Sequence, residues 1–321
     1  MIPGTKKYVT APVLAILLMG VIAPAASGRD LSPLEIARKS VVTVLPVWSG
    51  RPPNLAEPEG SGVVIGDGRT IVTADHVLGP VQDQVPVLVR DDDGTSYPAR
   101  VVARHKASDL AVLQIDEALP AIAGRGSTPG LGDEVCAIGN AFGVGLSVSC
   151  GRVSAVNRAG VGFNAIEDFI QTDAAVNPGM SGGALVDMQG RFTGVLSAIF
   201  TKQSDANIGV NFAVDARLVQ VIADALVSTG RFVPARTGVL LRAVPPSGEA
   251  GRQGVLVVRI VPGLSGDKSG LRTGDVVYRA NDRRIRKPQD WLSVMAGRQA
   301  GEQVEVSGLR DGKPVQWIMN E

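Results

Sequence analysis

The stretch AVNPGMSGGAL, residues 175–185, places a serine among glycines: Gly179 stands two residues before Ser181, and Gly182 and Gly183 follow it directly. Glycine admits backbone conformations closed to other residues. A backbone so freed can hold a hydroxyl on a sharp turn and aim the Gly179 N–H at negative charge developing nearby. A tight surface turn uses the same residue types. The chemical alternative needs more, because a serine hydroxyl becomes a useful nucleophile only beside a base that is itself oriented. The chain has two histidines, His76 and His105. His76, in TIVTADHVL, follows a β-rich run that ends in a small-residue turn, the kind of rigid edge from which an imidazole can act as general base. His105, in ARHKASD, lies in polar sequence and reads as solvent-facing. Asp109, in SDLAVLQI, opens an apolar strand. Its carboxylate can accept the imidazole N–H, fix the tautomer and stabilise the imidazolium; taken alone it also reads as a strand-initiating cap.

The elements that must bring these residues together are short β-rich runs divided by glycine. One set comprises SVVTVLPV, GSGVVIG, TIVTADHV, VPVLVR, YPARVVARH and LAVLQI. A second comprises DEVCAIG, SVSCGRVSAV, FIQTDA, GGALVD, RFTGVLSAIF and IGVNFAV. Two such sets predict two packed antiparallel barrels. His76 and Asp109 fall in the first set and Ser181 in the second, so the three can meet only across a cleft between barrels. Their chain order, His then Asp then Ser, is that of chymotrypsin-like barrels and not of subtilisins or α/β-hydrolases. DARLVQVIADALVSTG predicts a helix, with Asp215 as N-cap and Gly230 at its end. After Gly230 the pattern resets to five further strands and two short helices, DKSGL and QDWLSVMAG, a second domain within the usual size range. The fold class is therefore mainly β, with domains at 31–230 and 231–321.

Bulk properties narrow the partners. Lys plus Arg number 32 against 31 Asp plus Glu, a formal charge of +1, which argues against long-range attraction to nucleic acid or an anionic membrane. No His/Cys/Asp cluster has metal-ligand spacing, so no metal and no other cofactor is expected. Lys6 and Lys7 precede the apolar run APVLAILLMGVIA and the small-residue stretch APAAS, which reads as a signal peptide over residues 1–26. An uncleaved anchor is the alternative. The only cysteines, Cys136 and Cys150, flank what reads as a hairpin. Export would allow a disulfide between them; two buried thiols are the other reading.

The blocks TADHV, SDLAVLQI, AIGNAFG, QTDAAVNPGMSGGAL and IGVNFAV resemble those of HtrA/Deg trypsin-like serine proteases. TGVLL, GVLVVRIVPGLSGDKSGLRTGDVVYRANDRRI and GEQVEVSGLRDGK resemble the one C-terminal PDZ domain that follows the protease in that family. The resemblance spans about residues 31–321. It implies Ser181 as nucleophile, His76 as base, Asp109 as orienting acid, and the N–H groups of Gly179 and Ser181 as oxyanion hole. It further implies an exported endopeptidase acting on unfolded or misfolded proteins in envelope protein quality control. Val176, Ala198, Ile199 and Val210 are the candidates for the substrate pocket. None is acidic, which favours cleavage after Val, Ala or Ile over Lys or Arg. Arg236, Thr237, Gly238 and Val239 would form the turn that receives peptide C-termini by strand addition. Trp291, Val294 and Met295 form either the facing wall or core. Three features depart from the family pattern. Met180 replaces the usual Asn before the nucleophile, and a thioether is expected only to pack there. The loop WSGRPPNLAEPEG is short, and the N-terminal SGRDLSPLEIARKS lacks the aromatic residues used in family homo-oligomers, which are trimers. The competing reading is a dormant peptide-binding chaperone or adaptor whose oxyanion hole Met180 has spoiled.

Overall fold

Alternation of apolar side chains along β1 (Val41–Pro46) serves two cores at once. Val42 and Val44 point into one barrel, while Val41 joins the apolar layer shared by both barrels and a helix. The computed structural model describes residues 31–46, 60–79, 87–124, 128–199, 209–244, 254–299 and 301–320. The signal-peptide segment and nearly all of the loop WSGRPPNLAEPEG lie outside the described residues.

The first barrel closes in the order β1, β2 (Gly60–Ile65), β3 (Thr70–Ala74), β6 (Leu110–Ile115), β5 (Ser96–His105) and β4 (Val87–Arg90). The second closes in the order β10 (Ala184–Asp187), β11 (Phe192–Ile199), β12 (Asn211–Asp215), β9 (Phe169–Thr172), β8 (Leu146–Arg158) and β7 (Glu134–Asn140). Every pairing within the barrels is antiparallel. In β7 the same alternation sends Val135 and Ala137 into the second barrel and Cys136 and Ile138 into the shared layer. Cys136 lies directly opposite Cys150 on β8, and the two form a disulfide.

Helix α1 (Pro33–Arg38) opens with a capping box, in which Ser32 and Glu35 each accept the other's backbone N–H. Helix α2 (Ala216–Thr229) starts where the Asp215 carboxylate accepts the Arg217 N–H, and stops at left-handed Gly230. Its apolar stripe, with Leu218, Ile222 and Leu226, lies on the shared layer. The third sheet runs β13 (Val239–Ala243), β14 (Val255–Ile260), β15 (Val276–Ala280), β17 (Val304–Arg310) and β18 (Lys313–Met319), with β16 (Arg283–Arg284) beside β15. Helices α3 (Ser265–Lys268) and α4 (Pro288–Ala296) complete it. Trp291, Val294 and Met295 sit in the core of this sheet.

Residues Ser32–Glu321 form one compact unit. The joint between barrels and third sheet is largely ionic. Arg283 grips both oxygens of buried Asp168, at 2.6 and 2.9 Å, and also donates to Ser293 Oγ. Arg217 donates to the Gly297 carbonyl and pairs with Glu302. Leu292 and Ala296 of α4 add apolar contact with the shared layer.

Candidate active site

His76 stands in the 3-10 turn Asp75–Leu78, where the chain leaves β3. Asp109 ends the turn before β6 with φ 56, a left-handed value that Asp tolerates better than most residues. That turn brings backbone and carboxylate to bear on the His76 turn together. The Asp75 N–H donates to the Asp109 carbonyl at 3.1 Å and the His76 N–H to Asp109 Oδ1 at 2.9 Å. His76 Nδ1 lies 2.8 Å from Asp109 Oδ2. With the proton on Nδ1, Nε2 keeps its lone pair for a substrate or nucleophile.

Two effects oppose each other at the imidazole. Burial pushes its pKa down, but the hydrogen bond and charge of Asp109, joined by the charge of Asp75, outweigh burial and raise it above the ordinary 6.5. Asp75 itself is held by Arg104, which pairs with its carboxylate and donates to the carbonyls of Asp75 and Gly79, both at 3.0 Å. Asp75, whose charge helps to raise the imidazole pKa, is thus itself paired and fixed in place.

Ser181 follows a turn in which Gly179 has φ 94. Its hydroxyl donates to the Ser197 carbonyl at 3.5 Å. Among the described residues it makes no hydrogen bond to His76. Ser197 also donates its own hydroxyl to Asp109 Oδ2 at 3.1 Å, so one β11 residue touches both barrels' contributions. Gly182, at φ 86, passes so near β2 that a Cβ there would sit 2.1 Å from the Ser61 carbonyl oxygen. This close approach answers why glycine follows the serine.

The turn before Ser181 is pinned from three sides. Ser61 Oγ, wholly buried, donates to the Gly179 carbonyl at 2.8 Å and accepts the Asn140 N–H at 2.9 Å. The Phe142 N–H donates to the Pro178 carbonyl at 2.7 Å. Because a peptide unit is planar and trans, fixing that carbonyl turns the Gly179 N–H the opposite way. Among the described residues the N–H groups of Gly179 and Ser181 have no hydrogen-bond acceptor. Third, Met180 is buried in the second barrel's core, and its Sδ accepts the Asn177 N–H at 3.4 Å. The expectation that Met180 only packs is therefore corrected: a thioether is a weak acceptor, and here it serves as one.

His105 also departs from expectation. It is half-buried, its ring edge-on to Phe232 at 5.2 Å with Nδ1 2.7 Å from Ser108 Oγ, and burial lowers its pKa. The apolar connector after α2 covers it, which polar neighbours in sequence do not reveal. Val176 lies in the second barrel's core at 1% exposure. Val210 is partly buried against the shared layer. Ala198 and Ile199 belong to β11, but their side chains lie outside the described residues.

Gly238, at φ 70, forms the turn into β13. The Thr237 N–H donates to the Ala235 carbonyl and the Val239 N–H to Thr237 Oγ1, while Arg236 precedes them. β13 pairs only with β14 among the described strands, leaving its other edge open. Ser61, Ser197, Asn140 and Arg104 were not found from sequence. Their only signal was a polar residue at a buried strand position or at a strand end.

Comparison with known proteins agrees with this architecture. The family model described as a trypsin-like peptidase domain matches residues 60–195, and that of a PDZ domain matches residues 206–317. The periplasmic serine endoprotease DegP of Escherichia coli (strain K12) is 34% identical over 268 residues, covering 80% of this chain and 55% of DegP. The periplasmic pH-dependent serine endoprotease DegQ of the same strain is 30% identical over 268 residues, covering 80% of this chain and 58% of DegQ. The chain thus spans little more than half the length of these curated relatives. Among solved structures, the HtrA-type protease AlgW with tripeptide superposes with TM-score 0.67 at 30% identity, covering 90% of this chain and 95% of that one. Two barrels, a glycine-flanked serine linked through Ser197 to a His–Asp pair, and an open-edged third sheet agree with these matches: the chain belongs to the HtrA/Deg family of trypsin-like serine proteases, in which a PDZ domain follows the peptidase.

Proposed function

We propose that this protein is an exported serine endopeptidase that cleaves unfolded or misfolded proteins by an acyl-enzyme mechanism, with peptide recognition by its PDZ domain. The observation that carries the reading is the 2.8 Å contact between His76 Nδ1 and Asp109 Oδ2, with Ser197 bonded both to that carboxylate and to the Ser181 hydroxyl. Ser181 Oγ rotates from the Ser197 carbonyl towards His76 Nε2, gives up its proton there and attacks the scissile carbonyl carbon. The oxyanion that forms accepts from the N–H groups of Gly179 and Ser181. His76 passes the proton to the leaving amine, and water, activated by the same imidazole, then releases the acyl group. Asp109 holds the imidazole in place throughout and steadies the imidazolium.

Val176, Ala198, Ile199 and Val210 remain the pocket candidates by residue type, and apolar types at those positions suit Val, Ala or Ile before the cleaved bond. The open edge of β13, with the turn Arg236–Val239, supports addition of a peptide C-terminus as a further strand. Residues 1–26 act as signal peptide, residues 31–230 as protease and residues 231–321 as PDZ domain in this reading. Relatives named as periplasmic support export. A dormant, peptide-binding role has one observation in its favour, the Ser181 hydroxyl resting on Ser197 and not on His76. Apo proteases commonly align this bond only with substrate bound. Incubation with unfolded casein decides between the two. Wild-type protein should yield fragments that Ser181→Ala does not, and intact casein in both would establish the dormant role.

A further inference from the structure

A crevice of 560 Å³ opens where the outer side of α2, the connector that follows it and the C-terminal end of α4 meet. Ala225 of α2, Phe232 of the connector and Met295 of α4 give it an apolar wall, and its charged groups are Asp224, Arg231 and Arg298. No residue of β13 or of the turn Arg236–Val239 lines it, so it is separate from the open strand edge.

Arg298 is the unusual member. It is 5% exposed, and only one terminal nitrogen has a partner, the Glu302 carbonyl. Nε and the other terminal nitrogen are buried and have no hydrogen-bond acceptor among the described residues. A guanidinium keeps its charge at any ordinary pH and carries five donors. Leaving such a group buried and unmatched is costly, and in native structures a gap of this kind calls for a partner. Asp224 does not fill it: its Oδ1 accepts from Gln220, and among the described residues neither of its oxygens meets the two orphaned nitrogens. Two arginines against one aspartate leave the described lining with a net charge of +1, which matches one negative charge and would leave the second charge of a dianion uncompensated.

We propose that this crevice binds a small monocarboxylate carrying an apolar chain, with its carboxylate on Arg298 and its chain along Ala225, Phe232 and Met295. A free medium-chain fatty acid and the apolar C-terminal residue of a peptide both offer that chemistry. Because Ala225 lies on α2, which packs on the layer shared by the barrels, and Met295 lies in the core of the third sheet, one ligand touches both, and its binding stabilises their mutual placement.

The test is calorimetric titration of the wild-type protein with sodium octanoate below its micelle concentration, and it does not depend on proteolysis. Octanoate should bind at one saturable site, and uncharged octanamide about tenfold or more weakly. Arg298→Gln should weaken octanoate by a similar factor. Ala225→Phe, which fills the crevice from the α2 surface and leaves Arg298 intact, should do the same while retaining the wild-type melting temperature. Displacement of octanoate by a tripeptide ending in valine would support the proposal with a chain terminus as ligand; Arg298-dependent octanoate binding without displacement supports it with the free acid. Absence of saturable octanoate binding to wild type, or equal affinity in wild type and Ala225→Phe, would overturn it.

Discussion

Ser61 offers the sharpest test of how the oxyanion turn is built, because it lies on the first barrel and holds a turn of the second. Ser61→Ala removes the donor to the Gly179 carbonyl and the acceptor of the Asn140 N–H, at 2.8 and 2.9 Å. Both backbone groups lose a buried partner, each loss being worth about 1–3 kcal/mol before relaxation. The rate effect has a separate ceiling. Removing one oxyanion donor outright costs about 2.7–4 kcal/mol, and here the Gly179 N–H remains, still oriented through the Pro178 carbonyl, while the turn that carries it loses one of its three restraints. A loss of roughly half that ceiling is expected, about 1.4–2 kcal/mol, or ten- to thirtyfold in kcat. KM should change little, since the donor contributes mainly in the transition state. Steady-state hydrolysis of a short chromogenic peptide, beside thermal unfolding of the same preparations, separates the two effects. A folded Ser61→Ala protein with kcat within about twofold of wild type would refute the reasoning.

Because the His76 pKa is raised above 6.5 and the base must be neutral, kcat/KM should fall on the acid side with a midpoint above that value. Asp75→Asn removes a charge that raises it and should move the midpoint to lower pH, while Arg104→Gln leaves Asp75 unpaired and should move it higher; rate profiles of the three proteins check both signs. Mass spectrometry of casein fragments should show cuts after Val, Ala or Ile, and clustering after Lys or Arg would remove the apolar-pocket argument. Arg283→Leu should lower unfolding stability by about 3–5 kcal/mol, because Asp168 is left buried without its cation. The double variant with Asp168→Leu should recover much of that loss in chemical denaturation.

The twelve barrel strands were legible as short β-rich runs divided by glycine, and α2 because Asp215 and Gly230 mark its ends. The residue types and chain order of His76, Asp109 and Ser181 were legible for a similar reason: nucleophile, base and acid are rare combinations. Their supports were not. Ser61 meets Gly179 across 118 residues of sequence and Ser197 meets Asp109 across 88, and nothing local distinguishes these serines from others in strands. The acceptor role of Met180 depends on where the Asn177 N–H points, a property of the folded turn alone. Arg283 and Asp168 each look like an ordinary surface charge until α4 and the barrels close over them.

The Cys136–Cys150 bond joins residues that face each other across β7 and β8. Side chains alternate along a strand, so sliding one strand by a single residue would exchange its two faces. Val135 and Ala137 are matched to the barrel interior and Cys136 and Ile138 to the layer outside it, and a slipped β8 would oppose each to the wrong neighbour. A covalent tie between directly opposed positions leaves only one alignment available to this hairpin. Heat or denaturant that spares the bond can melt the barrel without erasing that alignment, so the hairpin keeps a memory of its pairing that only a reductant removes.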